Sequence, residues 1–308
     1  MNKFPAMNAR AWGLILILSL LWGSAFYLNE IGLRGFPPNT LVLARMGGAA
    51  LTLLIFARVT GRRLPTDRTA WTQLSLLGFL NVVFPFMLFT WGQTQIESGL
   101  ASVLNATTPL WGVIAAHFLT RDEKATPLRL GGVLIGVAGV IVMIGGDAFG
   151  GIGGSVIAQL ACILATLCYA LATIYSRKIG TAGLDPLTLA TGQVVSAAVM
   201  MIPIALITDR PWALPIPSLD VICSTLALAV LSTSLAYILF FRLVALAGAT
   251  NAMLVTFLMP VVAIALGTGV LGETMTQNQI AGIILIASGL IALDGRLISR
   301  LVSRTNVP

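Results

Sequence analysis

The chain has 308 residues, of which 57% are hydrophobic and only 9% charged, and its formal net charge is +7. A soluble domain carries roughly a quarter of its residues as charges, so the composition excludes an ordinary globular enzyme and describes a polytopic membrane protein. A span takes about 20 apolar residues, so ten of them fill about two thirds of the chain and leave no room for a soluble catalytic domain.

Spans are expected at 11–30, 39–59, 70–92, 98–119, 127–146, 153–176, 186–207, 218–241, 250–271 and 277–295. Lys3 and Arg10 precede the first, as in a signal peptide, but further spans follow and it reads as an uncleaved helix. It carries Trp22, Phe26 and Asn29 on one face, at spacings of four and three. The second opens on Pro38 and holds Arg45 about 10 Å further along the helix. The third has Asn81 and Pro85 four apart, with Trp91 near its end.

The fourth puts Asn105, Thr107, Thr108 and Pro109 near its middle. Pro109 removes the amide that would bond the Asn105 carbonyl, and helical spacing puts Asn105 and Thr108 on one face. His117, the sole histidine, falls near the end of this span and reads as an interfacial polar residue. Gly132, Gly136 and Gly139 in the fifth span, and Gly282 and Gly289 in the tenth, allow close helix packing. The Gly-rich stretch 145–154 links two halves, 1–148 and 149–308. The sixth span brings Thr166, Tyr169 and Thr173, the seventh Gln193, the eighth Ser234 and Tyr237, and the ninth Thr256 with a mid-span Pro260. Thr126-Pro127, Asp185-Pro186 and the Thr276/Gln279 pair are helix-start signals. Cys162, Cys168 and Cys223 lie in apolar runs, with no spacing that suggests a metal site or a disulfide framework.

Charge sets the expected orientation. With the N-terminus in the cytoplasm, Arg58, Arg62, Arg63, Arg68, Arg121, Lys124, Arg129, Arg177, Lys178 and Arg242 all fall inside, and the outside keeps only Arg34 and Arg210. Both termini are therefore expected in the cytoplasm, and the positive charge belongs to topology rather than to nucleic acid. The halves also align: Pro38 matches Pro186, Pro109 matches Pro260, Glu123 matches Glu273, Gly132 matches Gly282, and Gly139 matches Gly289. Five spans per half make the second half inverted, a common plan among secondary transporters.

With LLWGSAF at 20–26, Arg45, Gln193, LSTSLAYILFFRLV at 231–244, prolines in the fourth and ninth spans and LGET at 271–274, the chain resembles the ten-helix drug/metabolite transporter superfamily, in its EamA-like branch. The resemblance implies two inverted five-helix repeats around a central cavity, in an inner-membrane carrier of small metabolites. It implies that the first, third, fourth, sixth, eighth and ninth helices line the cavity, and that the fifth and tenth pair at the periphery. The multidrug branch uses a mid-membrane glutamate in its first helix; Leu14 to Tyr27 has none, which argues against cationic-drug antiport.

The cavity candidates are Trp22, Phe26, Asn81, Asn105, Thr108, Tyr169, Tyr237 and Thr256, which together suit a neutral or zwitterionic solute with an apolar part. Arg45, Gln193 and His117 read as gate or structural groups. Pro85, Pro109 and Pro260 are expected helix breaks. Export of amino acids is the leading expectation, with no cofactor, no metal, and a monomer or homodimer in the bilayer. Nucleotide-sugar exchange wants several deep cations, and only Arg45 is available. An intramembrane enzyme wants paired aspartates, HExxH or a Ser/His pair, none of which the sequence shows. A scaffold subunit is the remaining alternative.

Overall fold

The computed structural model describes residues 8–62, 64–120, 124–148, 153–180, 184–248, 252 and 254–294. Ten helical units follow one another. They are α1 (Ala9–Leu33), α2 (Pro38–Val59), α3 (Arg68–Gly92), α4 (Ser98–Leu119), α5 (Pro127–Ala148), α6 (Gly154–Gly180), α7 (Pro186–Thr208), α8 (Leu219–Ala247), α9 (Leu254–Leu271) and α10 (Gln277–Asp294). Among the described residues nine are long and apolar enough to cross a membrane, and the tenth, at 277–293, is a shorter apolar helix. Hydrocarbon offers no partner to a backbone amide, so helices that bond internally are the form such apolar runs must take. Glu123, the centre of the linker and the chain termini lie outside the described residues.

The helix starts follow local chemistry. Asn8 accepts from the Ala11 amide at 2.9 Å, and Asp67 from that of Ala70 at 2.7 Å. Asp185 accepts from the amides of Leu187 and Thr188 beside Pro186. Thr276 and Gln279 bond reciprocally, as a capping box does. Leu20, Leu51, Ile55, Leu134, Ile141 and Ile207 stay exposed on the outside of the bundle, as a lipid-facing surface requires.

Lipid tails are as apolar as leucine, so close packing rather than water exclusion joins the helices. The α5–α10 pair shows this. A Cβ on Gly132 would lie 2.7 Å from the Gly289 carbonyl oxygen, and one on Gly139 would lie 2.8 Å from that of Gly282. The repeat-mates 132/282 and 139/289 thus cross over, Gly132 meeting the mate of Gly139 and Gly139 the mate of Gly132. A two-fold axis relating inverted halves produces that exchange, and the α5–α10 contact is one physical expression of it.

Two first-half helix starts are capped by second-half carboxylates at the same end of the bundle. Asp209 accepts from the Thr40 amide at the start of α2, at 2.7 Å. Glu273 accepts from the amides of Ser98 and Gly99 at the start of α4, at 2.8 and 3.0 Å. Negative charge at a helix N-terminus is favourable, so each contact also fastens one half to the other.

The spans are irregular in the middle. α3 makes a π-helical turn at Phe79–Val83, and α8 makes one at Val230–Leu235. α4 is broken between Asn105 and Thr108. At Pro260, an expected break, the helix instead runs on from Leu254 to Leu266, and the irregular turn comes later, at Gly267–Leu271. Pro85 follows the α3 π turn in the first turn of the next helical stretch, where its missing amide does least harm.

Candidate transport site

The π turns place the central polar contacts. Because Val230–Leu235 is a wider, underwound π turn, the Thr233 hydroxyl donates to the Leu228 carbonyl, five residues back, at 2.8 Å. Its oxygen then accepts from Arg45 Nε on α2 at 3.0 Å. The other half repeats the arrangement. Asn81, in the α3 π turn, donates to Gln193 Oε1 on α7 at 2.9 Å. Arg45 and Gln193 are thus matched positions, and each reaches across the repeat boundary to a π turn of the opposite half. One is cationic and the other a neutral amide. π turns often mark functional positions because they re-aim side chains.

Arg45 lies deep in the bundle and yet keeps some accessible surface. Its guanidinium carbon sits 4.3 Å from the Phe86 ring centroid. Tyr169 and Tyr237 are both close enough to interact electrostatically with it. α2, which is not among the helices expected to line the cavity, nevertheless carries this charge into the bundle.

Two aromatic chains end at those tyrosines. Phe26 meets Phe89 edge-on at 6.1 Å, and Phe89 stacks on Tyr169 at 6.1 Å. Trp22 contacts Phe240 at 5.4 Å and Tyr237 at 6.5 Å. Neither tyrosine hydroxyl hydrogen-bonds among the described residues, and neither does the Asn105 side-chain amide. Thr108 differs: its hydroxyl donates at 2.7 Å to the Asn105 carbonyl that Pro109 left free. Trp111, which sequence reasoning passed over, encloses an indole N–H with no partner among the described residues. The available signal was its place three residues beyond Thr108. Thr256 is half-buried on α9.

His117 stands apart. Its Nδ1 accepts from the Ala125 amide at 3.1 Å, and its carbonyl accepts from Lys124 Nζ at 2.6 Å. Both bonds fold the loop after α4 back on that helix. No group of three or more metal-ligating side chains occurs among the described residues.

A polar cavity of about 520 Å³ lies at the end of the bundle where Glu273 caps α4, lined among others by Glu30, Arg34, Gln93, Glu97 and Glu273. Gln93 also donates to the Phe26 carbonyl at 2.9 Å and accepts from Asn29. One residue therefore touches both this vestibule and the aromatic chain leading to Tyr169. Burial and the neighbouring Glu273 charge hold the Glu97 carboxyl above the usual carboxylate range, against the Thr274 amide that bonds it.

Apolar helices long enough to cross a membrane, in two halves of matched plan, are an architecture of membrane transporters. The EamA-like transporter family matches twice, at residues 10–145 and 156–293, and the chain belongs to that family. It is similar to the inner membrane transporter YedA of Escherichia coli, 28% identical over 92% of this chain and 90% of that one. The transporter YvbV of Bacillus subtilis is 27% identical over 96% and 94%. A protein named as a probable terminal-alkyne amino-acid exporter, from Streptantibioticus cattleyicolor, is 25% identical over 96% of each chain. A crystal structure at 15% identity shares the fold, with a TM-score of 0.68 over 96% of this chain and all of that one.

Proposed function

We propose that this transporter is a secondary carrier that exports small metabolites, neutral amino acids with an apolar or aromatic side chain, across the inner membrane by alternating access. The observation that carries the reading is a set of polar groups without a full set of partners among the described residues: the terminal nitrogens of Arg45 beside the Phe86 ring, the hydroxyls of Tyr169 and Tyr237 in their aromatic chains, and the Asn105 side-chain amide. A ligand of mixed character fits such walls, because rings take its apolar part while a few fixed groups orient the rest. The amino-acid exporter among the relatives supports the same solute class. In this reading the vestibule with Glu273 faces the outside, both termini face the cytoplasm, and breaking the Glu273 cap on α4 is part of opening the outer end.

Purified protein in proteoliposomes tests the proposal, through flux of a panel of labelled amino acids. Saturable movement of large neutral members is the expected result. Absence of flux for every amino acid rejects the solute class.

A further inference from the structure

Arg45 presents a charge with an incomplete set of partners. Its Nε is spent on Thr233, whose own proton goes to Leu228, so the orientation of the guanidinium is fixed from behind. One face is covered by Phe86 at 4.3 Å. Among the described residues the Arg45 terminal nitrogens make no hydrogen bond and no ion pair. A cation at membrane depth is costly and is ordinarily paired or faces water. The matched position, Gln193, satisfies its contact as a neutral amide, so a charge is not needed to hold this junction together.

We infer that the Arg45 guanidinium, set among Phe86, Tyr169 and Tyr237, is the binding site for a carboxylate carried by the transported solute; the inference rests on the proposed function for the identity of that solute. The two terminal nitrogens offer parallel N–H donors at the spacing of carboxylate oxygens, a pairing lysine cannot reproduce. The ring contacts Phe89–Tyr169 and Trp22–Tyr237 supply apolar faces on which the side chain of such a solute would pack. A single fixed cation suits one carboxylate and falls short of a diphosphate.

The test is binding to the purified full chain in chloride-free buffer. Three probes of one shape are titrated: 3-phenylpropionate, 3-phenylpropanamide and 3-phenylpropan-1-amine. The carboxylate is expected to bind roughly tenfold tighter than the amide, as a charged bidentate pair does over a neutral one. Arg45→Gln removes that advantage, and Arg45→Lys keeps part of it. Equal binding of amide and carboxylate to the unmodified protein overturns the inference, as does a carboxylate preference that survives Arg45→Gln, or no binding of the carboxylate at millimolar concentration. Should Arg45→Gln fail to fold, the unmodified protein and Arg45→Lys decide the matter. Carboxylate binding without amino-acid flux leaves the anion site standing and rejects only the proposed solutes.

Discussion

Pro109 takes one amide out of α4, and the adjacent Thr108 hydroxyl answers the freed Asn105 carbonyl at 2.7 Å. These neighbours therefore have different duties, although both read as cavity residues from their spacing. Thr108→Val is expected to destabilise the protein by about 1–3 kcal/mol, the cost of an unmet buried acceptor, and to change flux only as far as folding suffers. Asn105→Ala, whose side-chain amide is unspent, is expected to lower flux several-fold with the midpoint of thermal unfolding little changed. Unfolding curves and proteoliposome flux on the two variants separate these effects, and unchanged flux in Asn105→Ala removes it from the site. At this scale the sequence offers the aromatic residues and Asn105 as candidates, because type and spacing are visible in a helix. It does not offer Thr233, whose role depends on a π turn that a regular 3.6-residue spacing conceals.

The α5–α10 contact was legible as a glycine pattern, since small residues at repeated spacing allow backbones to approach. Gly139→Ala would put its Cβ 2.8 Å from the Gly282 carbonyl oxygen, where neither helix can yield cheaply. A loss of about 1–3 kcal/mol is expected from such overpacking, read as a lower unfolding midpoint. The partner of Glu273 was not legible. The residue reads as a helix-start charge, but the helix it caps belongs to the other half, 175 residues earlier. Gly267 leaves the room this carboxylate occupies, since a Cβ there would collide with it. Glu273→Gln and Gly267→Ala should each weaken the tie and raise maleimide labelling of a cysteine placed at Leu100, beside the vestibule. Unchanged labelling in both variants refutes a role in closure. Acid should act the opposite way on the same joint. Glu97 is held above the usual carboxylate range by burial and Glu273, in a vestibule that also contains Glu30 and Arg34. The tied form therefore binds the Glu97 proton more tightly than the untied form. Its advantage is complete below the ordinary carboxylate pKa and is lost as pH rises through the raised value. Labelling should increase across that window, and Glu97→Gln should flatten the dependence.

The halves repeat a plan without repeating its chemistry. Pro109 interrupts α4 whereas Pro260 is accommodated within a continuous helical stretch, and Arg45 meets a hydroxyl where Gln193 meets an amide. Matched prolines, glycines and glutamates made the duplication visible in the sequence, and the crossed glycine contacts of α5 and α10 give it physical form. Which polar groups remain unspent could not be read, because that depends on partners supplied by the opposite half. An enclosed site between two inverted halves has a kinetic signature that neither a scaffold nor an open pore shares, since solute must be bound on one side before it is released on the other. Counterflow in proteoliposomes measures it: vesicles are loaded with an excess of an unlabelled large neutral amino acid, diluted, and given a trace of the labelled form outside. A carrier built as described predicts transient accumulation of label above its equilibrium level, abolished by Arg45→Gln. Label that only rises smoothly to equilibrium, or does not enter, would contradict the account.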